Sequence, residues 1–184
     1  KDGWLKIDPI ADKVTVTVTE NSAAVTYDDT EHSVTGYKSM TADNTLYDVE
    51  KNVAEKPTKA WTAKGTDAGE YPVGIVSGDF RNTSKNFTNV EFVIVDGTLK
   101  IDPVSDKVTV TVTENSAAVT YDGTEHSVKG YKSMTADNAL YDVKKNVAET
   151  STEAWTAKGT DVGEYPVGIK AADFENKSGN FTNV

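Results

Sequence analysis

The chain is nearly the same sequence twice. Residues Ile7–Val90 recur as Ile101–Val184 at a constant offset of 94, and of the 84 aligned pairs 16 differ and 68 are identical, with no insertion or deletion. Whatever one copy folds into, the other must be able to fold into as well. The repeat therefore divides 184 residues into two domains of about 90 residues each, toward the lower part of the usual domain range. The expected domains are residues 1–95 and 96–184, the second lacking the closing strand of the first. Tandem copying at this fidelity favours reach or multiplicity over catalysis, because two copies of one active site rarely gain more than two separate molecules.

Composition removes several kinds of chemistry. There is no cysteine, so neither disulfides nor thiolate metal sites are available to a small core. The two histidines, His32 and His126, occupy one repeat position, which leaves no second imidazole per copy for a zinc site or a Cys/His nucleophile pair. The formal net charge of −10, from 19 Lys and Arg against 29 Asp and Glu, argues against a nucleic-acid partner. No apolar run is long enough to span a membrane, and no basic stretch with an apolar core opens the chain. Because the chain starts inside a repeat, it is expected to be a piece of a longer protein.

Period-two patterning with β-branched residues predicts strands throughout. Val14, Val16 and Val18 alternate with Thr15, Thr17 and Thr19, and the copy runs through Val108, Val110 and Val112. Further strands are expected at Ala23 to Tyr27, His32 to Tyr37, Ala60 to Ala63, Glu70 to Val76 and Val90 to Val95. Asp28-Asp29-Thr30, which is Asp122-Gly123-Thr124 in the second copy, reads as a turn that needs or tolerates positive φ at its middle residue, which Asp29 can adopt at some cost. Exchange of Thr35 for Lys129 and of Val76 for Lys170 marks those positions as outward. Pro72 places its strand at an edge or a bulge. Met40 to Trp61 is ambiguous: Asp43-Asn44 could cap a short helix of at most one turn, or the segment could be an irregular turn leading into Asn52-Val53-Ala54. The run Asp96-Gly97-Thr98-Leu99-Lys100-Ile101-Asp102-Pro103 repeats as Asp2-Gly3-Trp4-Leu5-Lys6-Ile7-Asp8-Pro9 and reads as a junction without a flexible linker. The architecture expected from these elements is all-β, two tandem immunoglobulin-like β-sandwich domains in line; a β-grasp-like sheet with one short helix per repeat is the alternative.

Few residues invite chemistry. Asp67, Glu70, Asp161 and Glu164 suggest the paired carboxylates of a glycosidase, yet they sit in Gly-rich turns and read as solvated. Asp96, Asp102 and Asp106 are candidates for an interdomain calcium ion, against the favoured reading that Asp102 and Asp106 cap a Pro turn. No cofactor is expected. The threonines of one short strand offer little ordered surface. Lys13 beside Asn89 is a conceivable amide crosslink, if both were buried next to a carboxylic acid. Tyr27, Tyr37, Tyr47, Tyr71 and Trp61 could form a sugar-stacking platform, although Trp61 and Tyr71 lie on the inward phase of their strands. A second copy ending at Val184, without the counterpart of Glu91 to Asp96, predicts strand addition from another molecule or a weaker second domain, against the favoured reading that the sequence is simply cut there or runs on in disorder beyond Val184.

The order Tyr121-Asp122-Gly123-Thr124-Glu125-His126-Ser127-Val128, then Gly159-Thr160-Asp161-Val162-Gly163-Glu164-Tyr165, then Asn180-Phe181-Thr182-Asn183-Val184 resembles the MBG/YDG-type repeats of bacterial surface proteins. The first copy adds the closing run Asp96-Gly97-Thr98-Leu99-Lys100-Ile101 and departs from the pattern at Asp29, where the family has glycine. The resemblance covers essentially the whole chain. It implies a secreted, wall-anchored Gram-positive cell-surface adhesin in which such domains form a stalk, with no catalytic residues. Two readings stay open: a spacer projecting a binding head, or a multivalent repeat binding a host glycan or host surface protein. A shared site predicts one contiguous exposed patch identical in both copies, whereas a spacer predicts differences scattered over the exposed faces.

Overall fold

The computed structural model describes residues 1–151 and 154–184. The chain forms two compact units, Lys1–Asp102 and Pro103–Val184. Both are mostly β, with one α-helical turn and one 3-10 turn apiece among the described residues. The division falls after Asp102, so the boundary drawn at 95/96 in the sequence lies between two strands of the first unit.

In the first unit β1 (Val14–Glu20) is the central strand of one sheet, antiparallel to β4 (Tyr37–Ala42) and parallel to β9 (Val90–Val95). Its alternation is complete: Val14, Val16, Val18 and Glu20 are buried, and Thr15, Thr17 and Thr19 are half-buried on the other face. A second sheet places β10 (Thr98–Asp102) between β2 (Ala23–Thr26), to which it is parallel, and β7 (Gly69–Pro72), to which it is antiparallel. Two antiparallel pairs of strands distant in sequence complete the unit, β3 (His32–Thr35) with β6 (Thr62–Gly65) and β5 (Val53–Glu55) with β8 (Phe80–Asn82). The core gathers Val14, Val16, Tyr47 and Phe87, with Ile10, Met40, Val53, Val90 and Phe92 packed around them. Tyr47 meets Phe87 edge-on at 5.0 Å and Phe80 stacks on Phe92 at 5.7 Å, contacts worth about 0.5–1.5 kcal/mol each beyond their buried area.

Several expectations are met in detail. Asp29 and Gly123 both have positive φ, at 64° and 78°. Thr35, Lys129, Val76 and Lys170 all face outward. Pro72 ends β7, an outer strand of its sheet, where a missing amide costs no ladder bond on the open side.

Others are corrected. The helix α1 spans only Val49–Asn52 and is capped by Asp48, whose carboxylate accepts from Glu50 N and Lys51 N. Asp43 instead accepts from Thr15 N at 2.9 Å, and Asn44 folds back onto Leu46 N. The strand expected through Val76 ends at Pro72, beyond which Val73 and Ile75 are buried without pairing as strand. The supposed junction Asp96–Pro103 contains the middle strand of a sheet, with Leu99 and Ile101 among the most buried residues.

The second unit repeats three pairings: β11 (Val110–Glu114) with β13 (Tyr131–Ala136), β12 (His126–Lys129) with β15 (Thr156–Gly159), and β14 (Val147–Glu149) with β16 (Phe174–Asn176). Its helical turn α2 (Val143–Asn146) is capped by Asp142. Residues 117–120 and 163–166, which correspond to β2 and β7, are not strands, since in the first unit those two are joined through β10.

Candidate functional site

The sequence-selected carboxylates are not gathered into a site. Asp102 lies in β10, where its carbonyl accepts from Tyr27 N and its side chain pairs with Lys100 at 2.7 Å. Asp96 and Asp106 are exposed, and among the described residues no group of three or more His, Asp or Glu is placed to hold a metal ion. Asp67, Glu70, Asp161 and Glu164 are exposed turn or strand-edge residues. Lys13 does not meet the burial an amide crosslink needs: its side chain is largely exposed and ion-paired with Glu91, while the backbone carbonyl of Asn89 accepts from Val14 N.

The aromatics pack more than they present. Tyr47 is buried and bonds Asn82 Oδ1 at 2.9 Å. Trp61 stacks on Phe80 at 5.5 Å and donates its indole N–H to Asp79 Oδ2 at 2.8 Å. Asp79 is fully buried, and burial alone would push its carboxyl up. Donors from Trp61, Val76 and Thr58 outweigh that and hold it below the usual carboxylate range. Tyr37 closes the cluster, giving its hydroxyl to Glu55 at 2.6 Å; that bond, with burial, raises the phenol to about 12. Tyr71 covers Gly65 so closely that a Cβ there would stand 2.3 Å from its ring.

A polar trio decorates one exposed turn in each copy. Asp28 accepts from Thr30 Oγ1 at 2.6 Å and from Thr30 N at 3.0 Å, and it contacts His32 Nε2 at 2.9 Å. The Thr30 hydroxyl, then His32, depress its carboxyl to about 2. Asp122, Thr124 and His126 repeat the arrangement, with Asp122 also at about 2. These bonds are local to four or five residues and shape the turn.

Two further surfaces stand out in the geometry. One is the outward face of the first sheet. Thr17 lies opposite Thr41 and Thr19 opposite Ser39, while Thr15, Thr17 and Thr19 lie beside Glu91, Val93 and Val95. The threonine array is thus at least two strands wide, which the sequence of one strand did not reveal. Its five hydroxyl residues are repeated unchanged as Thr109, Thr111, Thr113, Ser133 and Thr135.

The other surface is a pair of grooves in the second unit. One, of about 640 Å³, is lined by Val108, Val110 and Val112 of and beside β11, with Ile169, Phe174 and Val184. The other, of about 520 Å³, runs between 117–119 and 163–165, with Tyr121 and Val128 at its wall. In the first unit the corresponding positions are covered by β9 and β10. The buried Glu20 there accepts from Ile75 N at 2.5 Å and from Gly97 N at 2.6 Å. Its counterpart Glu114 is half-buried and accepts from Ile169 N at 2.8 Å.

No family model matches the chain, and no curated protein or solved structure matches it.

Proposed function

We propose that the two units are non-catalytic structural repeats, immunoglobulin-like sandwiches in the stalk of a secreted, wall-anchored bacterial surface adhesin. The observation that carries this reading is the placement of the 16 differences. In the first unit 14 of these positions are exposed and two, Ile10 and Ala68, are half-buried; none is buried. They fall on turns and on several strands: Asp29 at one turn, Thr35 on β3, Thr45 and Glu50 around α1, and Arg81 on β8. Selection that retains the core and lets the outside drift is what a spacer requires. The resemblance to surface repeats points the same way.

Small-angle scattering of the 184-residue chain, with calcium and with chelator, tests the reading. An elongated profile indifferent to calcium supports a spacer held by packing. A profile that becomes compact or flexible on chelation overturns that account and returns Asp96, Asp102 and Asp106 to the role of ligands.

The unvaried threonine and serine face favours a second reading, a repeated binding surface for a host glycan or host protein. Glycan-array binding lost on Thr17→Ala plus Thr41→Ala, with folding intact, would establish it. Membrane insertion by helices is not part of either reading, as no helix among the described residues is long and apolar enough to cross a bilayer.

A further inference from the structure

The sheet of β4, β1 and β9 ends at β4, and beyond that edge the fold leaves a slot. It has a volume of about 510 Å³ and is lined by Lys38 and Met40 of β4, Val53 and Glu55 of β5, and Val49 and Glu50 of α1. Both strand walls present backbone groups without partners. Asp43 N donates to Thr15 O, which fixes the phase of the ladder: Thr41 and Ser39 bond across to Thr17 and Thr19, and the N–H and C=O of Met40 point away from β1. On the other wall Asn52 O accepts from Thr83 N and Lys56 N donates to Asp79 O, so the backbone of Ala54 turns to β8 and that of Val53 and Glu55 turns away from it. Val53 N returns to Val49 O. The N–H and C=O of Met40 and Glu55 and the C=O of Val53 have no protein partner among the described residues. The bond that crosses the slot runs from the Tyr37 hydroxyl to Glu55, at 2.6 Å.

The same arrangement recurs in the second unit. Asp137 N donates to Thr109 O, Lys177 N to Asn146 O and Thr150 N to Asp173 O, which repeats both phases. Lys132, Met134, Val143, Val147 and Glu149 stand unchanged, and Lys144 replaces Glu50. Every element that bounds the slot is present in both units: β4, α1, β5 and β8 in the first, β13, α2, β14 and β16 in the second.

We propose that this slot binds a single extended peptide, acidic and with apolar residues at alternate positions. An extended chain carries N–H and C=O groups along both of its edges, so one strand serves the open groups of β4 and of β5 together. The edge of another sheet has only one side free and cannot serve both walls. Met40, Val49 and Val53 are half-buried and offer an apolar floor to every second side chain of the peptide. Charge at the rim selects the rest. Lys38 and Lys132 are exposed and enter no ion pair among the described residues, while Glu55 is already engaged by Tyr37. Lys144 adds a second positive charge to the rim of the second unit, where Glu50 opposes an acidic ligand in the first. The second unit is therefore the tighter site. This gives the repeat a ligand and does not depend on the stalk reading.

Fluorescence anisotropy on the intact chain tests this with a labelled synthetic peptide of about nine residues alternating glutamate and valine. A lysine–valine peptide and a glutamate–valine peptide N-methylated at every second residue serve as controls. Amide exchange locates the contact, read on fragments that include residue 35 or 50, or their counterparts 129 or 144, because those positions differ between the copies. The expected result is saturable binding of the glutamate–valine peptide, with protection of Met40 and Glu55 and stronger protection of Met134 and Glu149. Both control peptides bind about tenfold more weakly or worse. Glu50→Lys installs the residue that the second copy already carries at an exposed position, and it raises the first unit's affinity about two- to fivefold; Lys38→Glu lowers it by a similar factor. A glutamate–valine peptide that protects neither slot at saturating excess overturns the proposal. Equal binding of the N-methylated peptide overturns it as well, since no backbone ladder would then be formed, and so does an affinity unmoved by Glu50→Lys. Protection of 37–42 that rises with protein concentration in the absence of peptide also overturns it, because the occupant would then be a second copy of the chain.

Discussion

Alanine in place of Glu20 and, separately, of Glu114 makes one chain its own control. Glu20 is buried beneath the first sheet and satisfies two backbone donors, Ile75 N and Gly97 N, at 2.5 and 2.6 Å. Removing it strands both, and an unsatisfied buried donor costs about 1–3 kcal/mol, so the first unit should lose about 2–6 kcal/mol. That is a large share of the roughly 5–15 kcal/mol that holds a domain of this size folded. Glu114 satisfies only Ile169 N, at 2.8 Å, and is half-buried beside an open groove. Its removal should cost the second unit about 1–3 kcal/mol at most, less where water reaches the freed amide. Urea unfolding read by hydrogen exchange and mass spectrometry separates the two copies, because peptides around residues 76–85 and 170–179 differ in sequence. If Glu20→Ala costs the first unit no more than Glu114→Ala costs the second, the bond to Gly97 contributes nothing and the role given to β10 is wrong.

Three further outcomes are expected. Gly65→Ala places a Cβ 2.3 Å from the Tyr71 ring and should displace it, costing about 1–3 kcal/mol in urea unfolding of the first unit. Gly36→Ala meets no atom within 4 Å but keeps φ at +65°, so thermal unfolding should show a purely backbone cost of about 1–2 kcal/mol. Asp28 is depressed from 3.8 to about 2 by Thr30 and His32; its folded pKa lies below the unfolded value, so its contribution is present above pH 3.8 and lost as pH falls toward 2. Asp28→Asn should accordingly flatten the acid limb of the first unit's stability profile over that window, and an unchanged limb would remove Asp28 from the account.

Strand content was legible wherever β-branched alternation ran uninterrupted. Val14 to Glu20 and Val90 to Val95 could be read because burial on one face only leaves a period of two in the sequence. The β4 strand was hidden: Tyr37-Lys38-Ser39-Met40-Thr41-Ala42 mixes polar and apolar residues irregularly, and its pairing depends on β1 and a bulge beside Glu20. Thr98 to Asp102 carried the alternation of a strand, with Leu99 and Ile101 separated by Lys100, but its place after Asp96-Gly97 and its recurrence at the chain start made it look like a connector. Pairing partners far apart in sequence, such as Leu99 with Ala23 and Tyr71, leave no local trace. The candidate grooves follow from that same strand and were foreseen only as an open edge.

The position of β10 also decides how the first unit answers tension. A strand at the rim of a sheet can be unzipped from one end, one bond at a time. β10 is the last strand before the chain leaves the unit, yet it lies mid-sheet, gripped by β2 on one side and β7 on the other. A pull along Asp102 must drag it lengthwise against two ladders whose bonds run across the strand and bear the load together. In the other sheet β1 and β9 lie parallel over six paired positions, one near the entry of the chain and the other near its exit, so force from the two ends shears that ladder as well. The first unit is thereby loaded in shear, and not by unzipping, when it is pulled by its two ends.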